Sequence, residues 1–144
     1  MTVKFKRVRP SAASPRYATD GAAAADLTAC IEEPILLWPG KTEKIPTGIA
    51  IELPSKEVVA LLFARSGLAL KHGVHLINGV GVIDSDYRGE VCVGLHNLGH
   101  ELITINPGDR IAQLGIYPVY IAEFVEDDLS ETERGQGGFG STGI

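Results

Sequence analysis

Along the chain, apolar residues recur at alternate positions in short runs, and Gly, Pro, Asn or Asp separates one run from the next. That period of two predicts many short β-strands and few helices. Residues 3–8 form the first run, closed by Pro10 and a Ser/Ala/Pro loop. Residues 33–53 predict two strands about a Pro39-Gly40 turn, and Ile45, Thr47, Ile49, Ile51 and Leu53 share one face of the second. Residues 58–63 are continuously apolar, as a buried strand would be. A Pro107-Gly108-Asp109 turn precedes Arg110-Ile111-Ala112-Gln113-Leu114, where alternation sets Gln113 on the face opposite Ala112, Leu114 and Ile116. Residues 119–125 predict one more strand.

Two stretches carry helical signals. Alanines at 22–25 favour helix by propensity, but the run is short, starts at Gly21 and gives way to strand-like residues, so no helix is expected there. Residues 66–72 predict a short helix with Ser66 as its N-cap and Gly73 as its stop. Its free amides and positive dipole end would favour an anion, and Arg65 adds a full charge. An ordinary capped helix beside a surface arginine accounts for the same residues.

Residues 76–95 read as a hairpin. Val80, Val82 and Asp84 share one face of the ascending strand, with Ile83 on the other. Asp86-Tyr87-Arg88-Gly89 suits the turn, and Val91, Val93 and Leu95 alternate on the return strand. Gly79 and Gly81 would weaken such a strand, and glycines there often mark close approach of another backbone or a ligand. Asp84 at an apolar strand edge beside the Tyr87 ring is a way to build a pocket with one base in it. Aspartates that only start a turn explain the pattern equally well.

A length of 144 residues suits one domain. Such a domain buries roughly two-thirds of its unfolded surface and needs no staples. The net charge of −5 argues against broad nucleic-acid binding, which relies on cationic contacts to phosphates, but leaves room for a small anionic ligand. Two cysteines, Cys30 and Cys92, form neither a disulfide framework nor a metal signature and suit buried thiols in a reducing cytosol. The basic N-terminus lacks the apolar run of a signal peptide, and no apolar stretch is long enough to span a bilayer. A soluble cytoplasmic protein with no membrane partner is therefore expected.

Several apparent motifs fail on context. Gly40-Lys41-Thr42 imitates the end of a phosphate-binding P-loop, but Ile35 stands where its first Gly belongs. Gly135, Gly137 and Gly140 match Gly-x-Gly-x-x-Gly, but only four residues follow, too few for the required helix. His72 with His75, and His96 with His100, have metal-like spacings without a helix or carboxylates to complete a site, and are expected to be surface or packing residues.

After residue 125 the composition changes to an acidic linker, then to Arg134-Gly135-Gln136-Gly137-Gly138-Phe139-Gly140-Ser141-Thr142-Gly143. The shift divides the chain into a body over 1–125 and a tail over 126–144. A floppy tail explains the glycines, yet one Arg, one Phe and a Ser-Thr pair among them is an unusual composition for a linker.

Five segments, in order, resemble the signature motifs of the trimeric dUTP pyrophosphatases (dUTPases). They are Ala25-Asp26-Leu27, Arg65-Ser66-Gly67-Leu68-Ala69, Gly81-Val82-Ile83-Asp84-Ser85-Asp86-Tyr87-Arg88-Gly89, the stretch around Gln113, and the glycine-rich tail. Ala64 departs from the Pro or Gly of many members but is no contact residue. The resemblance implies an all-β jelly-roll domain with one short helix over 1–125 and a flexible C-terminal arm over 126–144, assembled as a homotrimer whose sites are shared between subunits. It implies hydrolysis of dUTP to dUMP and pyrophosphate, which limits uracil incorporation into DNA and supplies dUMP for dTMP synthesis.

By the same resemblance Asp84 would be the base that activates water against the α-phosphorus. Asn78 and the backbone around Val82 and Ile83 would read uracil, near Cys92, and Tyr87 would stack on the deoxyribose. Arg65, Ser66, Gly67 and Gln113 would hold phosphates, and Asp26 would support Mg²⁺ through water, the ion being held mainly by substrate phosphates. From the arm, Phe139 with Gly140 would cover uracil, while Arg134, Ser141 and Thr142 grip the distal phosphates. The chemistry needs position, cations and one base. A dCTP deaminase of the same superfamily is a rival, but Gly94 stands where its catalytic Glu would lie. A non-catalytic jelly-roll trimer is another, and such a protein would lack Asp84 or the tail.

Overall fold

The computed structural model describes residues 1–138 and Ser141. Among the described residues it is a β-protein of eleven strands and one helix: β1 Lys4–Arg7, β2 Ala25–Thr28, β3 Ile35–Leu37, β4 Thr42–Pro46, β5 Ile49–Glu52, β6 Val58–Phe63, α1 Ser66–His72, β7 Val74–Leu76, β8 Gly81–Ile83, β9 Cys92–Asn97, β10 Ile103–Ile105 and β11 Arg110–Pro118. A four-stranded sheet, ordered β2-β11-β6-β8, and a three-stranded sheet, ordered β4-β9-β7, are joined by the pairs β1-β5 and β10-β3. Every named pairing is antiparallel. This is the jelly-roll-like sandwich that the resemblance implies, and it agrees with the many short strands read from the sequence.

One core unites the two larger sheets. Ala60, Leu62 and Leu114 from the first meet Ile45, Val93 and Leu95 from the second, and Ile45 and Val93 are fully buried. The alternation of β6 and β9 puts every second side chain inside. Asn97 is buried without cost to the fold because its amide donates to the carbonyls of Leu37 and Glu101.

Four sequence expectations need correction. The run of residues 33–53 forms three strands, not two, because Gly48 takes a φ of 74° and breaks the second into β4 and β5. Only glycine tolerates this position, since a Cβ there would lie 2.6 Å from both the Ala12 Cβ and the Cys30 Sγ. Arg65, not Ser66, caps α1, and no side chain bonds the cap; Ser66 is the first helical residue. Gly73 does end the helix in the left-handed region, at φ 69°.

The third correction is the hairpin. β8 pairs with β6, whereas β9 lies between β4 and β7 in the other sheet. Residues 84–91 therefore cross from one sheet to the other. Alternation tells which face a residue occupies but not which strand it pairs with. The turn also shifts: the Tyr87 amide donates to the Asp84 carbonyl, so the turn runs over 84–87.

The fourth concerns residues 119–125, which form no strand. The Val119 amide still bonds the Glu57 carbonyl, but beyond it Tyr120 and Phe124 are each 97% exposed. Despite its strand-like composition, this stretch pairs with no strand among the described residues.

Candidate active site

The sequence-predicted residues fall into separate groups. Asn78, Val82, Ile83, Asp84, Tyr87 and Cys92 all line one open cavity of about 450 Å³, together with Lys44, Leu62, Gly81, Glu90 and Val91. Edge strand β8 forms one wall, the 84–91 crossing the rim, and the start of β9 the opposite side.

Local chemistry explains this wall. Val82 is 63% exposed while Ile83 is buried, so alternation turns Val82 outward and Ile83 toward the core. Gly81 sits against Leu62, whose Cβ would be 2.9 Å from an added Cβ. Gly79 has a different role: it meets nothing nearby but adopts φ 71° in the turn after β7. β8 is the last strand of its sheet, and the outer edge of such a strand keeps free backbone donors and acceptors.

Asp84 is exposed just past β8. Among the described residues no donor bonds its carboxylate and no cation pairs with it. The Tyr87 hydroxyl donates to the Glu90 carbonyl at 3.1 Å, and the ring lies over Gly89, where any Cβ would collide with it. Burial, followed by the charge of Glu90, pushes the Cys92 thiol above its ordinary value. That direction disfavours the thiolate, and Cys92 lines the wall of the cavity.

Sequence reasoning missed Glu90 and Arg9. The Arg9 Nε and Nη2 reach the two Glu90 carboxylate oxygens at 2.6 and 3.0 Å, and the Gly48 amide adds a bond of 2.9 Å. The Arg9 hydrogen bond, aided by that amide, holds the Glu90 carboxyl below its ordinary value. No sequence signal linked two residues 81 positions apart. A carboxyl with a lowered folded-state value stabilises above its unfolded value, and that contribution is lost as pH falls through the folded one. Glu90→Gln is expected to melt lower at pH 7, with the gap closing as pH falls through the lowered Glu90 value. Thermal unfolding of both proteins at pH 7, 5 and 3 checks this.

The second group surrounds Asp26 on β2. Asp26 is 7% exposed. Its carboxylate accepts from Arg110 Nη1 at 3.0 Å and Gln113 Nε2 at 3.3 Å, with Arg65 Nε at 3.5 Å. The Arg65 Nη1 also donates to the Arg110 carbonyl at 2.9 Å. Asp26 faces Gln113 across the β2–β11 register, and Gln113 faces Phe63 across β11–β6, which delivers Arg65 to the same spot two residues later. Ser66 and Gly67 follow, exposed at the start of α1. Two arginines on one buried carboxylate leave donors spare for an anion. Arg110 was not singled out from sequence.

The lining of the Asp84 cavity includes none of Arg65, Ser66, Gly67, Gln113 or Asp26. In the tail, the Arg134 Nε donates to the Gly137 carbonyl at 2.9 Å, and Ser141 is exposed. Phe139, Gly140 and Thr142 lie outside the described residues. Among the described residues no three His, Cys, Asp or Glu side chains converge as a metal cage. His72 and His100 are exposed, while His75 and His96 stack edge to face at 5.7 Å and His96 Nδ1 meets Thr42 Oγ1. No helix is long and apolar enough to cross a membrane among the described residues.

A family model for dUTPase matches residues 11–143. The chain is 55% identical over 145 residues to the deoxyuridine 5'-triphosphate nucleotidohydrolase of Desulfitobacterium hafniense, covering 99% of this chain and 96% of that protein. It is 52% identical to the protein of the same name from Hahella chejuensis, over 96% of this chain and 91% of that one. In structure it superposes on the dUTPase of Staphylococcus bacteriophage 80alpha, solved with dUPNHPP, with a TM-score of 0.86, 28% identity and 99% coverage of both chains.

Proposed function

The chain belongs to the dUTPase family and is a hydrolase of dUTP, and on that premise we propose that Asp84 activates the water that attacks the α-phosphorus, releasing dUMP and pyrophosphate. The observation that carries this reading is the cavity of Asp84, Asn78, Tyr87 and the β8 edge. A uracil presents alternating acceptors and a donor along one edge, and a free strand edge offers their complement. Asn78 adds a side-chain amide to the backbone around Val82 and Ile83. Tyr87, held down on Gly89, would stack on the deoxyribose and leave no room for a 2′-hydroxyl. With base and sugar so placed, Asp84 stands at the α-phosphate end, its carboxylate free to take a proton from water.

Arg65, Ser66, Gly67 and Gln113 would hold the phosphates. Their separation from the Asp84 cavity supports a homotrimer whose sites combine residues of different subunits. The exposed apolar side chains of Tyr120, Ile121 and Phe124 also favour assembly. Residues 1–125 would act as the jelly-roll body and 126–144 as the arm, with Phe139 and Gly140 over uracil and Arg134, Ser141 and Thr142 on the distal phosphates. The protein would work in the cytoplasm, keeping uracil out of DNA and supplying dUMP for dTMP synthesis.

Magnesium fits this arrangement only as an ion carried on the triphosphate. Asp26 is a single carboxylate already bonded by Arg110 and Gln113, so it suits an outer role through water. Mg²⁺ ordinarily keeps several waters and binds through one or two carboxylates plus phosphates. When bound, the ion supplies neutralisation of phosphate charge.

The test is product analysis with dUTP and dCTP in the presence of Mg²⁺. Pyrophosphate and dUMP from dUTP are expected, with neither ammonia nor turnover from dCTP. Release of dUDP and orthophosphate would put cleavage at the β–γ bond and reject Asp84's assigned place.

A further inference from the structure

The rim of the Asp84 cavity is fastened from outside it. Glu90 does two things at once: its carboxylate grips Arg9 through two bonds and takes the Gly48 amide, while its backbone carbonyl accepts the Tyr87 hydroxyl. Gly48 is held in a conformation open only to glycine, and Val91 is laced on both sides to Thr47 and Ile49. The Glu90 backbone therefore has little freedom, and the Tyr87 ring is hung from it. Arg9 comes from the segment after β1, remote in sequence from the cavity.

We propose that the Arg9–Glu90 pair is a positioning element that sets the angle of the Tyr87 ring and so tunes discrimination between 2′-deoxyribose and ribose nucleotides. The inference rests on the reading of Tyr87 as the sugar-stacking group. Steric rejection of one small group depends on how firmly the rejecting surface is held, because a ring that can tilt makes room. Bidentate arginine–carboxylate bonds fix geometry as well as energy. Removing the charge from Glu90 would let its carbonyl move, the Tyr87 hydroxyl lose its fixed acceptor, and the ring swing.

The experiment measures kcat/KM for dUTP and for UTP on the full-length enzyme and takes their ratio. Glu90→Gln is expected to lower that ratio about tenfold, within the roughly 10–200-fold range that a small steric difference supplies. Arg9→Gln, which leaves Glu90 and its Gly48 bond in place, is expected to move it the same way by less. Tyr87→Phe, which removes the hydroxyl link, should lower the ratio similarly, and adding Glu90→Gln to it should change little more.

A purely structural role for the pair would scale both substrates together and leave the ratio alone, which overturns the proposal. So would a Glu90→Gln effect that is as large in the Tyr87→Phe background as in wild type. Tyr87→Ala separates the two levels. If it leaves the ratio unchanged, Tyr87 does not read the sugar and the premise falls. If it lowers the ratio while Glu90→Gln does not, the premise stands and the pair is only a brace.

Discussion

Asp84→Asn is expected to lower the turnover of dUTP by about 10²–10⁴-fold, the usual worth of a positioned base, while leaving nucleotide affinity and fold intact. The structure strengthens the second half of that expectation. The Asp84 carboxylate has no hydrogen-bond or ionic partner among the described residues, so an amide in its place orphans nothing. The turn that carries it depends on the Asp84 carbonyl, which an asparagine retains. The measurements are single-turnover hydrolysis, binding of a non-hydrolysable dUTP analogue, and thermal unfolding. Turnover within a few-fold of wild type would remove Asp84 from the role of base. A loss of binding equal to the loss of turnover would make it a binding group instead.

Removal of residues 134–144 is expected to abolish most turnover while leaving a folded protein with the same assembly state that still binds dUMP. Five of the last ten residues are glycine, and only Phe139 and Ile144 among the eleven could join a core. Ordering such a segment costs conformational entropy at every residue, which a ligand must offset. The triphosphate and uracil would do so through Arg134, Ser141, Thr142 and Phe139, and closure would exclude water and hold the phosphates in line. dUMP lacks the distal phosphates, so its binding should depend little on the arm. Steady-state hydrolysis, dUMP titration and size-exclusion of both forms test this. Undiminished hydrolysis by the shortened protein would reduce the tail to an appendage.

Much of this protein is local, and the sequence by itself determined that part. Alternation placed Ile45, Thr47, Ile49, Ile51 and Leu53 on one buried face even though Gly48 splits the strand that carries them, because side-chain direction depends only on backbone period. It likewise set Val82 and Ile83 on opposite faces, and the structure turns Val82 out and Ile83 in. The limits of the short helix followed from Gly73 and the chain before it. The motif residues of the cavity side lie within fifteen positions, 78–92, so one local stretch delivers them together.

What only the tertiary structure decided is which elements meet. Strand pairing is a choice among edges far apart in sequence, and periodicity is silent on it. So β8 and β9, neighbours in the chain, went to different sheets, and the expected hairpin became a crossing that forms the cavity rim. Residues 119–125 had strand composition but join no sheet among the described residues. The union of Asp26, Arg65, Arg110 and Gln113 arises from β2 and β6 flanking β11. The Arg9–Glu90 bond spans 81 positions, and its energy exists only once β5 and the crossing have been brought side by side. Long-range contacts of this kind are specified jointly by the whole packed core, so no single segment carries their signal.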